Sequence, residues 1–176
     1  MDVVTIIKPY VGVSFKGTEI NFGMSQKEVE DILGKPVKYE VNNLIDLIWE
    51  PRDCATFFYG KSGLQSVDFP LQETQKVSYE DIDILHDKEA VIKLSKFDMP
   101  TADDGKYMNF YKLGICLGGF GKKRIPEKKL VTVFPENQMA QMVVRYRSGG
   151  GKISHSVEDM KAALGKTGDT EHSSRF

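Results

Sequence analysis

The sequence predicts an α+β fold of two tandem helix-plus-β-hairpin repeats. These share one antiparallel sheet and carry a C-terminal extension. Three observations lead there. A strongly capped helix at 25–33 is followed by aromatic-rich alternating segments and a glycine turn. A second helix signal and a second strand block recur about 61–65 residues later, in the same order. The chain has 176 residues, 40% of them hydrophobic and 28% charged, which suits a small globular core and argues against a disordered chain.

The helix at Ser25–Leu33 is the clearest element. Ser25 and Glu28 have the spacing of a capping box, in which each side chain satisfies the other's backbone N–H. Met24 and Val29 hold the positions of a hydrophobic staple. Val29, Ile32 and Leu33 form an apolar stripe at i, i+3, i+4. Gly34 ends the helix and Pro36 prevents its resumption.

Strands follow. In Asp46–Glu50, alternation puts Leu47 and Trp49 on one face and Asp46, Ile48 and Glu50 on the other. With Leu47 and Trp49 as core, the carboxylates are exposed together. Ala55–Tyr59 is a strand, Gly60–Gly63 a hairpin turn, and Gln65–Phe69 the returning strand closed by Pro70. Ile82–Leu85 is a short strand. A second helix spans Lys88–Phe97, capped by Asp87, with Val91, Leu94 and Phe97 buried. Tyr107–Leu117 is one long strand and Leu130–Phe134 its partner, joined by the basic loop Gly118–Lys129.

The repeat matches Lys27-Glu28-Val29 with Lys88-Glu89-Ala90-Val91. It also matches Val67-Asp68-Phe69-Pro70 with Thr132-Val133-Phe134-Pro135. The physical reading is two α/β units, each too small to close its own core. They occupy about 9–71 and 78–135 of a single domain at 1–147. Met139–Arg147 is amphipathic in either period. Ser148–Gly151 is a flexible break, Ser156–Leu164 a short helix, and Lys166–Phe176 a polar, disordered tail.

Composition narrows the function classes. No apolar run approaches the roughly 20 residues of a membrane helix. The first ten residues lack the basic and long apolar regions of a signal peptide, so the expected compartment is the cytoplasm. The net charge of −1 argues against general nucleic-acid binding. That charge is divided unevenly: residues 1–100 hold 17 acids and 11 bases, the remainder 8 acids and 13 bases. An acidic face built for a basic partner is one explanation, and solvated surface is the plainer one.

No constellation of catalytic residues appears. Gly114–Lys123 is glycine-rich, but Cys116 and Lys123 stand where a phosphate loop needs Gly and Ser or Thr. His86, His155 and His172 have no metal-ligand spacing. Cys54 and Cys116 make no disulfide framework or metal cluster. Cys116 lies in an apolar strand as an inert thiol, and Cys54 is a loop thiol. No Ser stands in a nucleophile elbow. The chain is therefore expected to be no enzyme and to use neither cofactor nor metal.

Binding is the remaining class. Trp49, Phe57, Phe58 and Tyr59 cluster within about ten residues, among Asp46, Glu50, Arg52 and Asp53. Most must be core, since a two-layer protein needs such a layer. An aromatic left exposed among carboxylates is the pattern of a hot spot for a basic partner. The candidate partner-binding residues are Asp46, Trp49, Glu50, Asp53 and Phe58, with Asp103 and Asp104 in a second acidic loop.

One family-level resemblance bears on this. Pro9-Tyr10-Val11-Gly12-Val13, Ile20-Asn21-Phe22-Gly23-Met24-Ser25, Glu28-Val29 and Ile32-Leu33-Gly34-Lys35-Pro36 resemble the openings of a group of small bacterial proteins. Their repeat is similar to the tandem fold of beta-lactamase inhibitor proteins and outer-membrane assembly lipoproteins. Many of these relatives are immunity proteins carried beside polymorphic toxins. The likeness covers about 9–135 and is densest in 9–36. Residues 136–176 depart from it, and no lipobox cysteine stands near the start. The resemblance implies an immunity protein of contact-dependent growth inhibition, binding a cognate toxin of basic or nuclease type, with no membrane partner. The alternatives are a non-catalytic envelope assembly module, a nucleic-acid binder using Lys122–Lys129, or a small hydrolytic protein.

Overall fold

A computed structural model of the chain describes residues 3–44, 46–103, 105–138 and 152–153. Met139–Arg147, Ser148–Gly151, Ser156–Leu164, Lys166–Phe176 and Asp104 lie outside the described residues.

The chain opens with a three-stranded meander. β1 (Val3–Lys8) pairs antiparallel with β2 (Gly12–Phe15), and β2 with β3 (Thr18–Asn21). β1 alternates with period two: Thr5 and Ile7 point inward while Val4, Ile6 and Lys8 are exposed. β8 (Gln75–Tyr79) adds in parallel to the other side of β1, and β9 (Ile82–Asp83) closes the sheet. The order β3-β2-β1-β8-β9 makes a five-stranded sheet with the chain's first strand at its centre.

α1 (Gln26–Leu33) begins at Ser25. The Ser25 Oγ accepts from the Glu28 backbone N–H at 3.2 Å, and Glu28 accepts from the Ser25 N–H at 2.7 Å. The hydrogen bonds also hold Glu28 below the usual carboxylate range. Val29 is fully buried, Met24 and Leu33 pack against the core, and Ile32 stays exposed.

The larger sheet has nine strands. β4 (Glu40–Asn42), β5 (Leu47–Arg52), β6 (Ala55–Gly60) and β7 (Gly63–Pro70) form one antiparallel meander. After α2 (Ala90–Leu94), β10 (Thr101–Asp103), β11 (Tyr107–Phe110), β12 (Ile115–Gly118) and β13 (Leu130–Val133) form a second. β13 joins β7 antiparallel, Val133 opposite Val67 and Val131 opposite Phe69. β14 (Lys152–Ile153) adds to β10.

These facts correct the expected α+β class. Among the described residues strand takes 44% and helix 12%, arranged as two large sheets, so the fold is mostly β and not a helix-plus-hairpin repeat. Two physical causes account for it. The period-two pattern of residues 3–21 joins residues 75–83 in a separate five-stranded sheet, where one shared sheet was expected. The second helix signal shrinks to the five residues of α2, because Val91 and Ile92 are β-branched and Pro100 follows closely. Asp87 does not cap the helix; its carboxylate accepts from the Glu89 N–H in the preceding turn. Phe97 is exposed and stacks edge-on against Tyr79.

The single long strand expected at 107–117 is likewise a hairpin, turning at residues 111–114. Gly114 has φ 65°, and a Cβ there would lie 2.6 Å from the Phe134 carbonyl and 3.0 Å from the Tyr10 ring. Glycine is required where these backbones meet. The basic loop after β12 is anchored rather than free. Phe120 and Ile125 are buried, and the Lys123 N–H donates to the Gly105 carbonyl at 3.1 Å.

One hydrophobic cluster runs through both sheets. Phe15 of the small sheet meets Phe57 edge-on at 5.7 Å and lies 6.4 Å from Phe69. Val29 of α1 and Ala90, Val91 and Leu94 of α2 belong to the same cluster. Each large side chain fully buried here contributes about 1.5–3 kcal/mol of transfer free energy.

Candidate partner-binding surface

With one face of the nine-stranded sheet packed on the core, the opposite face belongs to the alternate residues. On β6, Phe57 and Tyr59 point inward, so Phe58 points out, half-buried. On β5, Trp49 stands directly opposite Phe58 and is 39% exposed. Their rings meet edge-on, centroids 6.3 Å apart at 68°. Such cross-strand aromatic pairs favour offset or edge geometries.

This inverts the expected facing of β5. Trp49 lies outside, and Glu50 is completely buried. The expectation that Asp46, Glu50 and Asp53 form one exposed acidic group is therefore corrected for Glu50. The reason is that Glu50 is paired. Its carboxylate accepts from Arg52 Nε at 2.6 Å, from Gln26 Nε2 at 2.7 Å and from the Tyr59 hydroxyl at 3.4 Å. Arg52 also donates from Nη2 to the Gly34 carbonyl at 2.9 Å, placing a cation at the C-terminal end of α1. Burial and then the Glu50 charge push the Tyr59 hydroxyl well above its ordinary range. A buried charge persists only when paired and hydrogen-bonded. The i, i+2 spacing of Glu50 and Arg52 was the available signal, since it puts both on one strand face.

Asp46 and Asp53 are exposed, and each has a lysine partner. Asp46 lies 3.0 Å from Lys61 and has φ 49° at the entry to β5. Asp53 lies 3.0 Å from Lys16, whose hydrogen bond and charge hold its carboxyl below the usual range. Asp103 is in β10, separated from β5 by five strands. The structure thus gathers Asp46, Trp49, Asp53 and Phe58 around β5 and β6, buries Glu50 beneath them, and leaves Asp103 remote.

Sequence reasoning missed the edge beside this surface. β4 and its flanks expose Val37, Tyr39, Val41 and Leu44. With Trp49, these are five of the eleven large hydrophobic residues exposed among the described residues. The segment carries no strong alternation, so nothing in it announced a strand.

Asp68 of β7 shares the outer face with Phe58, standing opposite Thr132 on one side and Thr56 on the other. Burial pushes its carboxyl up to about 6, with help from Glu127, against the hydrogen bond from Thr132. Elsewhere, His86 faces Asp83 through Nδ1 at 3.1 Å and the Gln72 carbonyl through Nε2 at 3.1 Å. Cys54 and Cys116 are buried thiols, and burial raises the first. Among the described residues no group of three or more His, Cys, Asp or Glu side chains could hold a metal ion. Nor is any described helix long and apolar enough to cross a membrane. No protein family, no curated protein and no solved structure matches the chain.

Proposed function

We propose that this chain is an immunity-type protein that neutralises a cognate toxin by laying its Trp49–Phe58 surface over the toxin's active site. The observation that carries the reading is that aromatic pair, on the outward side of β5 and β6, with Asp46 and Asp53 at the two ends of β5. Aromatic anchors ringed by polar groups dominate binding energy at protein interfaces. The lysines paired with the two carboxylates do not stand in the way. An exposed ion pair is worth about 0–1 kcal/mol, so a basic partner can replace Lys61 and Lys16 at little cost. Charge then raises the association rate, and the aromatics slow release. The resemblance in residues 9–36 is what suggests a toxin as partner, and an immunity role of that kind would be played in the cytoplasm.

Co-expression with the toxin module of a neighbouring reading frame tests this. The wild-type chain should restore growth, and Trp49→Ala should weaken protection while leaving the thermal midpoint in place. If the wild-type chain gives no protection, the reading fails. If Trp49→Ala and Phe58→Ala both protect fully, the surface is wrong.

A further inference from the structure

We infer that the β4 edge of the nine-stranded sheet, which no described strand covers, pairs with the same edge of a second copy, β4 against β4. This inference stands apart from the toxin reading and uses different residues.

An uncovered sheet edge offers a row of unpaired N–H and C=O groups, and folded proteins protect such edges with charge, proline, bulges or extreme shortness. The edges of this molecule differ. β3 presents Glu19, ion-paired to Lys8 at 2.5 Å, and β9 is two residues long with Asp83 in it. β4 is also short and carries Glu40, but it has Val41 at its centre and Tyr39 just before it, both more than half exposed. Val37 and Leu44 beside it are almost fully exposed, at 99% and 96%. Apolar side chains so concentrated on one edge mark an interface rather than ordinary scattered surface.

The strand is also complementary to itself. Three residues pair with three in one antiparallel register, centred on Val41. Val41 then meets Val41 of the second copy, and Glu40 meets Asn42 on either side. No like charges oppose each other, and the β-branched pair falls at the two-fold axis. The exposed surface of Val37, Tyr39, Val41 and Leu44 is on the order of 500 Å² in one copy. Complete cover of these side chains in both copies would bury at most on the order of 1,000 Å², the floor for a specific association. The two-fold axis runs perpendicular to the sheet, so both Trp49–Phe58 pairs end up on the same side of the dimer. Three strand spacings, about 14 Å, separate the two β5 strands.

The test is mass in solution by light scattering over a dilution series. Wild type should show twice the monomer mass at tens of micromolar and approach monomer on dilution. Val41→Lys places two lysines face to face across the axis and should give monomer throughout, with a thermal midpoint equal to that of wild type at dilutions where wild type is monomeric. Val41→Cys should form a covalent dimer under mild oxidation, because opposed Cα atoms in an antiparallel register lie about 4.5–5.5 Å apart, within the disulfide range. The native thiols at Cys54 and Cys116 are buried and should give no such product. A monomeric wild type at tens of micromolar overturns the inference. So does a dimer that survives Val41→Lys, or a Val41→Cys protein that stays uncrosslinked. A dimer abolished by Ile6→Lys and not by Val41→Lys would move the interface to the small sheet and also overturn it.

Discussion

Arg52 Nε lies 2.6 Å from a carboxylate oxygen of Glu50, and the two side chains are 10% and 0% exposed. They sit on one strand face two residues apart, and the pair ties α1 to the sheet through the Gly34 carbonyl.

Removing one partner should therefore be worse than removing both. Arg52→Met leaves a buried carboxylate with only Gln26 and Tyr59, and should cost about 3–5 kcal/mol. The double variant Glu50→Leu with Arg52→Met should recover most of that loss. Urea midpoints of the three proteins check the order.

Ser25→Ala removes the acceptor for the Glu28 N–H and half of a complete capping box. It should cost about 1 kcal/mol. If its urea midpoint coincides with that of wild type, the reciprocal cap contributes nothing to stability.

Asp68 sets a pH dependence with a definite sign. Its folded carboxyl is raised to about 6 from an ordinary value of 3.8, so the folded state holds the proton more tightly than the unfolded one. The stability from this site is fully present below the unfolded value and is lost as pH rises through about 6. Asp68→Asn removes the charge while keeping a group that can bond Thr132. It should stabilise the protein by about 1–3 kcal/mol at pH 7.5, an advantage that shrinks towards pH 4. Stability curves of both proteins between those limits check this.

Gly114→Ala forces a Cβ against the Phe134 carbonyl and the Tyr10 ring at φ 65°. It should destabilise by more than about 1 kcal/mol, since the unfavourable φ adds to the close approach. Thermal melts of the variant and wild type give the comparison.

Local signals in the sequence proved more informative than global ones. The Ser25–Glu28 box and the Gly60–Gly63 turn concern groups within a few residues, and the structure contains both. The chain-wide symmetry was misleading. Val67–Pro70 and Thr132–Pro135 look like equivalent ends of two units, but β7 and β13 are adjacent strands of one sheet. Similar apolar patterns arise because both lie at its buried centre. Strand facing was hard to read for a different reason. Alternation says which residues share a face, never which face goes in. In β5 the choice is decided by Gln26 and Tyr59, which give Glu50 an interior home from elsewhere in the chain. Trp49 and Phe58 could be singled out from the sequence as members of an aromatic cluster, but which side of the sheet they face could not. The apolar edge at Val37–Leu44 could not, since its exposure follows only from where the sheet ends.

The place of β1 at the centre of its sheet bears on how the chain is made. Val3 pairs in parallel with Gln75, across more than seventy residues. At roughly 5–20 residues per second of synthesis, several seconds separate the first strand from its neighbour. Through that interval β1 can pair with β2 alone, leaving one side open and Thr5 and Ile7 without their cover. The nascent chain thus emerges with a sticky flank, and closing the small sheet must wait until Gln75–Tyr79 has been made.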